Sequence, residues 1–338
     1  MLEESLCKWF AKKIGFNDFS GGIAASGGTL SNLNALIAAR NNAGLGTNPN
    51  SVLLVSEDAH SSFIKCIRVM GLDTRNLVRI KTDTQGRMDI NDLRNSLDKC
   101  SIENKKIFAI VATLGTTVRG AIDPIKEISE ICKQRNIWLH IDGSIGGIFA
   151  ITSIPIEGLN NINQANSITI NPQKIIGITK TSSLLLVSNM STLENTFNTG
   201  LPYISSKENI INRGEIGIQG SRPAEVIKLW LGLRFLGLKG IENILKSSIK
   251  RKDFFVKNIS KNKFDIYSGP LHIVSFLPNK LEPKDSDAWT QTKVDELINN
   301  NFMLSRPKFK GKYFLRVVMG NYNTKESHIE ELLRLLDA

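Results

Sequence analysis

Ser167–Gly177 reads SITINPQKIIG. Ile168 and Ile170 alternate like the inner face of a short buried strand, and Asn171-Pro172 ends it. Gln173 and Lys174 then fall where a strand of an open α/β sheet finishes, the usual edge for a ligand crevice. Apolar Ile175 and Ile176 follow. Partial desolvation there would lower the lysine pKa and leave a nucleophilic amine, as a Schiff-base lysine must be. On this stretch alone an ordinary loop lysine is the simpler reading.

Upstream, IWLHID is a strand that places Trp138, His140 and Asp142 on one face, with Asp142 as its last residue. The small run Gly143-Ser144-Ile145-Gly146-Gly147 follows it. A strand-end carboxylate walled by glycines is placed to meet something flat and positively charged; a loop-capping aspartate fits the same pattern. Before it, Lys106–Thr113 is a buried strand leading into Leu114-Gly115-Thr116-Thr117. Asp123 is placed to N-cap a helix with Pro124 in its first position and Ile125, Ile128 and Cys132 facing inward.

The N-terminal part opens with an amphipathic helix over residues 1–15, on the spacing of Leu2, Leu6, Trp9, Phe10 and Ile14. In GGIAASGGTLSNLNALIAAR, residues Ser26–Thr29 form a small-residue turn into a helix. Such a turn offers free N–H groups and hydroxyls to a phosphate. It matches neither the Walker nor the dinucleotide spacing, and a plain strand-to-helix turn explains it equally well. A strand at Val52–Val55 runs into SEDAHSSF, placing His60 in the loop beyond. Leu77–Ile80 reads as a strand and Asp89–Leu97 as a helix.

Beyond Lys174, Leu184–Val187 is an apolar strand. GSRPAEVIKLWLGLRFLG is a helix opening near Pro223 and closed by Gly237, with Val226, Leu229, Trp230 and Leu233 inward. From about residue 240 the pattern changes to a helix through Ile249, short strands near Phe264–Tyr267, His272–Phe276 and Phe314–Val318, and a helix over Lys325–Leu336. Strands alternating with helices up to that point predict an α/β large domain over 1–240, its mostly parallel sheet covered on both faces, and a small C-terminal α+β domain over 241–338.

Bulk composition fits this reading. The 338 residues are 41% hydrophobic and 22% charged, ordinary for a soluble globular chain. No apolar run approaches the ~20 residues of a membrane span, and MLEESLCKWF has no basic-then-apolar leader pattern. Cys7, Cys66, Cys100 and Cys132 lack metal-ligand or disulfide spacing and suit a reducing cytoplasm. The net charge of +11 is spread out without interleaved aromatics. That favours a surface attracting small anions over a nucleic-acid or membrane partner.

A phosphate turn, loop His60, Thr117, strand-end Asp142 and Lys174, in that order, are the parts that pyridoxal phosphate needs. Here the sequence resembles the group II pyridoxal-phosphate decarboxylases of amino acids. The stretches that carry the resemblance are ASGGTLSN, DAHSSFIKC, VATLGTTVRGAIDP, WLHIDGSIGG, SITINPQK and GSRPAEVIKLW. It implies a fold-type I transferase architecture and a cytoplasmic, homodimeric carboxy-lyase acting on an L-amino acid. It further implies Lys174 in an internal aldimine, a quinonoid intermediate, Asp142 on the pyridinium nitrogen, His60 stacked on the ring with Ser144 beside it, and Thr117 lining it. Ser26, Gly27 and Asn171 would hold the phosphate, Gly220, Ser221 and Arg222 would reach towards a partner's phosphate, and Tyr203 would take part in protonation. For Arg222 a simple helix-start contact is an equal reading.

Three departures stand out. Gln173 replaces the usual histidine before the lysine and cannot shuttle a proton at neutral pH. Asn166 and Gly143 replace an acid and an alanine. Relatives also carry an N-terminal segment that wraps the partner subunit; the chain starts after it, so the expectation is either a fragment or an unusually open site. An aminotransferase or carbon–sulfur lyase of the same fold, or a cofactor-binding protein without turnover, are the competing functions.

Overall fold

The computed structural model describes residues 1–200 and 212–337. Seven strands form the main sheet: β1 (Gly21–Ala25), β2 (Ser51–Ser56), β3 (Leu77–Ile80), β4 (Lys106–Thr113), β5 (Trp138–Gly143), β6 (Ser167–Ile170) and β7 (Ser183–Val187). Their spatial order is β1-β7-β6-β5-β4-β2-β3. β7 runs antiparallel to both of its neighbours, and the other six strands share one direction. The mostly parallel sheet expected from the sequence is therefore present, with one reversed strand.

Helices cover both faces: α1 (Leu2–Lys13), α2 (Gly28–Asn42), α3 (Ser62–Val69), α4 (Ile90–Ile102) and α5 (Ile125–Arg135). The two-residue period of a strand decides which face each side chain meets. Val52 and Leu54 of β2 join the core that holds α1, α4 and α5, while Leu53 and Val55 join the core under α2 and α3. Strands buried on both faces read as the continuous apolar runs seen in LLV and IFAIVA.

After α6 (Ser191–Phe197), the long α7 (Val226–Asn258) leads to a second, antiparallel sheet. This is built from β8 (Phe264–Ser268) and β9 (Ile273–Pro278), with α8 (Ser286–Asn299) and the small hairpin β10 (Lys308–Phe309) and β11 (Lys312–Tyr313) preceding β12 (Leu315–Val318). The order is β12-β9-β8, and α9 (Glu326–Asp337) closes the chain. Phe255, Phe264, Phe276, Leu315 and Ile329 share a core here that is separate from those of the main sheet.

Several local expectations change. Asp123 does not cap α5: Pro124 is the cap residue, and the Asp123 carboxylate instead accepts the N–H groups of Met88 at 2.7 Å and Thr113 at 2.8 Å. The buried carboxylate is thus satisfied by two backbone amides from separate segments, Thr113 at the end of β4 and Met88 just before α4. The helix opening near Pro223 does close at Gly237, whose backbone is non-helical (φ 62°, ψ 171°); a second helical stretch runs on directly from this kink to Asn258, so the two are counted together as α7. Trp230 is 38% exposed rather than inward. Arg222 makes no helix-start contact; it donates to Glu3 Oε1 at 2.6 Å, to the Ala24 carbonyl at 2.8 Å and to the Arg213 carbonyl at 2.9 Å.

Candidate active site

The carboxyl ends of the parallel strands converge on one edge, where crevices form in open α/β sheets. Asp142 of β5 lies level with Thr113 of β4 and Thr169 of β6, and Lys174 follows β6 by one short turn. A cavity of about 200 Å³ opens there. His60, Thr117, Asp142, Ser144, Asn171, Gln173 and Lys174 all line it. Six of the residues picked from the sequence as ring or phosphate contacts are thus brought together from four separate loops and strand ends.

The others are not. Ser26 is exposed, its hydroxyl 3.5 Å from Gln219 Oε1, and Gly27 does not reach the cavity wall. Gly28 and Thr29, the first residues of α2, take that position. No side chain caps α2, so its first N–H groups stay open. A Cβ on Gly28 would stand 2.6 Å from Asn171 Nδ2 and 2.8 Å from Ser144 Oγ, so only glycine leaves this corner clear. Gly220 and Ser221 are exposed and do not line the cavity. Tyr203 lies outside the described residues.

Asp142 is 4% exposed. Its Oδ1 accepts the Ser144 N–H at 3.1 Å and its Oδ2 accepts Asn32 Nδ2 at 3.1 Å. Burial by itself would raise its pKa, but the Lys174 ammonium, the Ser144 hydroxyl and amide, and His140 outweigh burial and hold the carboxyl below its ordinary range. Lys174 moves the other way. Desolvation by the cavity walls lowers its pKa; the Asp142 carboxylate opposes this, and the Arg316 guanidinium adds to it. The pair is an anion held as an anion and an amine eased towards its neutral, nucleophilic form.

His60 accepts the Ser62 N–H on Nδ1 at 3.1 Å, so a neutral ring carries its proton on Nε2. Desolvation lowers its pKa against the pull of Asp142. Asn171 Oδ1 accepts from Ser183 Oγ at 2.6 Å, which turns its Nδ2 donor towards Gly28 and the cavity. Two hydroxyls in the cavity wall, Ser62 Oγ and Thr113 Oγ1, are buried without a hydrogen-bond partner among the described residues.

Sequence reading missed three supports. Arg119 donates Nε (3.0 Å) and Nη2 (2.6 Å) to Asp58 Oδ2 and lies over Phe309, 4.8 Å from its ring centre. This buried pair ties the loop of His60 to the loop of Thr117, and both residues sit inside stretches already quoted, DAHSSF and TTVRG. Arg316 Nη1 donates to the Thr117 carbonyl at 2.6 Å, bringing a fixed cation from β12 to the Lys174 side. Asn32, from α2, reaches Asp142 directly. Gly143 is tightly placed as well: a Cβ there would meet the Thr169 carbonyl at 2.8 Å.

Among the described residues no group of three or more His, Cys, Asp or Glu side chains could hold a metal ion, and no helix is long and apolar enough to cross a membrane.

Comparison with known proteins agrees with the geometry. Residues 1–276 match the family described as pyridoxal-dependent decarboxylase conserved domain. The aromatic-L-amino-acid decarboxylase of Bacillus atrophaeus is 29% identical over 345 residues, covering 99% of this chain and 71% of that protein. An acidic amino acid decarboxylase of Xenopus tropicalis is 30% identical over 274 residues, covering 77% of this chain and 53% of that one. The solved structure of Oryza sativa TDC with PLP and tryptamine superposes with a TM-score of 0.91 at 19% identity, covering 99% of this chain and 74% of that one, and so shares the fold.

Proposed function

Because the chain belongs to the pyridoxal-dependent decarboxylase family, we propose that it removes the α-carboxylate of an L-amino acid in the cavity between Asp142 and Lys174. The observation that carries this reading is geometric: a buried Asp142 at the end of β5 and Lys174 one turn past the adjacent β6 line the same cavity.

The residues present fit pyridoxal phosphate. The open N–H groups at the start of α2, Asn171 Nδ2 and the unpartnered hydroxyls of Ser62 and Thr113 supply donors for a phosphate and a ring hydroxyl. Gly28 leaves the corner that a phosphate group would occupy. Asp142 is an acceptor-only carboxylate suited to a protonated ring nitrogen, and Lys174 is an amine suited to an aldehyde. Bound there, the cofactor supplies an electron sink for the pair released when carbon dioxide leaves.

The chain's own groups would do the rest. With the cofactor bound, Asp142 would hold a proton on the ring nitrogen, and His60 lines the same cavity. Arg316 Nη2 has no hydrogen-bond partner among the described residues and offers a cation to a carboxylate entering beside Lys174. Gln173 is not a proton donor, so reprotonation falls to His60 or to Tyr203. We place the enzyme in the cytoplasm, on four free and buried cysteines. We also propose a homodimer, on the apolar side chains of Leu231 and Phe235 that α7 leaves exposed.

Incubation of the cofactor-loaded protein with a panel of L-amino acids tests this. Carbon dioxide and the matching amine are the expected products; an oxo-acid or sulfide would move the chain to the aminotransferase or carbon–sulfur lyase reading.

A further inference from the structure

Four buried hydrogen bonds run in a line from Trp138 to Asp142. Trp138 Nε1 donates to Ser167 Oγ at 2.8 Å, and Ser167 Oγ meets His140 Nδ1 at 2.8 Å. His140 Nε2 meets Asn32 Oδ1 at 3.1 Å, and Asn32 Nδ2 donates to Asp142 Oδ2 at 3.1 Å. His140, Ser167 and Asn32 are at most 1% exposed.

The ends of this line leave one direction for every proton between them. An indole N–H can only donate and a carboxylate can only accept. If Asp142 accepts, Asn32 must face it with its NH₂, and its carbonyl is left for His140. His140 Nε2 must then carry the hydrogen. Its Nδ1 is an acceptor, so the Ser167 hydroxyl donates to it while accepting from Trp138. Each of the four bonds then has one donor and one acceptor, and every bond points at Asp142.

We propose that Asn32, His140 and Ser167 are positioning residues: a buried, one-directional relay that locks His140 as the neutral Nε2–H tautomer and aims the Asn32 amide at Asp142. The relay holds the carboxylate plane in place and keeps it an acceptor before any cofactor arrives. Burial agrees, since it pushes the His140 pKa down to about 4 and leaves the ring neutral. The value of this relay to turnover rests on the reading of Asp142 as partner of the ring nitrogen; the tautomer itself does not.

The test uses the full chain labelled with ¹⁵N-histidine, with and without cofactor. Only four histidines are present, so His140 can be assigned by the signal missing in His140→Gln. The expected result in the cofactor-free protein is a protonated Nε2 and an unprotonated Nδ1 from pH 6 to 8. An Nδ1–H tautomer or an imidazolium in that range overturns the relay.

Asn32→Leu removes the last link, and His140 should then turn its proton towards Ser167 through Nδ1. In the loaded enzyme kcat should fall roughly 10²-fold, with KM within about threefold, as for the loss of one preorganised donor. An unchanged kcat and an unchanged tautomer in Asn32→Leu would overturn it too. Should that variant fail to fold, Ser167→Ala, which deletes only a hydroxyl, should lower kcat roughly threefold to tenfold at constant KM; unchanged kcat there removes Ser167 from the relay. If Asp142→Asn keeps full turnover, the ring-nitrogen reading falls, and the tautomer measured without cofactor still decides the relay.

Discussion

Gln173 Oε1 accepts the backbone N–H of Ser182 at 2.5 Å, so the residue before the candidate lysine is a tether rather than a proton donor. The bond joins the turn that carries Lys174 to the chain entering β7, across the segment between them. Ser182 is 4% exposed, and leaving its amide unpaired carries a desolvation penalty. Gln173→Leu should therefore lower stability by roughly 1–3 kcal/mol. The urea midpoint of unfolding measures this, and an unchanged midpoint removes the tether from the account.

Lys174→Ala should abolish the borohydride-stable attachment of pyridoxal phosphate while leaving the sheet edge intact. Peptide mapping after reduction is expected to show the wild-type label on the peptide containing Lys174 and none on the variant. A label that persists at another lysine would displace Lys174 from its role.

Asp142→Asn keeps the shape of the side chain and removes its charge. Cofactor should still bind, more weakly, while kcat falls roughly 10²–10³-fold, the scale on which a lost preorganised electrostatic partner acts. Steady-state kinetics with the best substrate settles this; near-normal turnover would separate Asp142 from the ring nitrogen.

Arg119→Met should loosen two loops at once. Asp58 would keep a buried carboxylate without its cation, at a cost of about 3–5 kcal/mol. Its pKa already lies above the ordinary value, because burial outweighs the attraction of Arg119. Lower thermal stability and a weaker affinity for cofactor are expected together. Stability lost with affinity unchanged would show that the pair does not order the His60 and Thr117 loops.

His272 gives a pH dependence. It is 2% exposed, stacks on Phe149 and leaves Nδ1 without a hydrogen-bond partner among the described residues; desolvation, with the charges of Arg251 and Lys174, pushes its pKa down from 6.5 to about 4. The unfolded chain then binds more protons than the folded one between those values. The stability tied to a neutral His272 is present above pH 6.5 and is lost as pH falls towards 4. His140, lowered in the same way, acts in the same window. The wild-type urea midpoint should drop on going from pH 7 to pH 4.5, and His272→Leu should drop by roughly 1–3 kcal/mol less. Equal losses in both would rule out His272 as the titrating group.

Much of the site was legible because its parts are local. A two-residue period marks β5 and β6, asparagine-proline and glycine runs mark where they stop, and the residues just past a strand end are the ones that can face a ligand. Asp142, Lys174 and Thr117 could be found that way, whereas Ser144 was implied by the family resemblance. Ser26 and Gly27 lie off the cavity, whose wall at this turn is Gly28 and Thr29, because small residues do not say which of them starts the helix. Asp123 looked like a cap because the residue before a helix proline usually is one; two distant amides took its carboxylate.

The sequence by itself determined the alternation of strands and helices, the strand ends and the identity of the charged groups waiting there, because those follow from short-range periodicity and turn chemistry. Only the tertiary structure decided that β5 and β6 lie side by side, that β7 runs against its neighbours, and that Asn32, Arg119 and Arg316 arrive beside residues far from them in the chain. Strand order and register are set by burying whole faces together, and no local stretch carries that information.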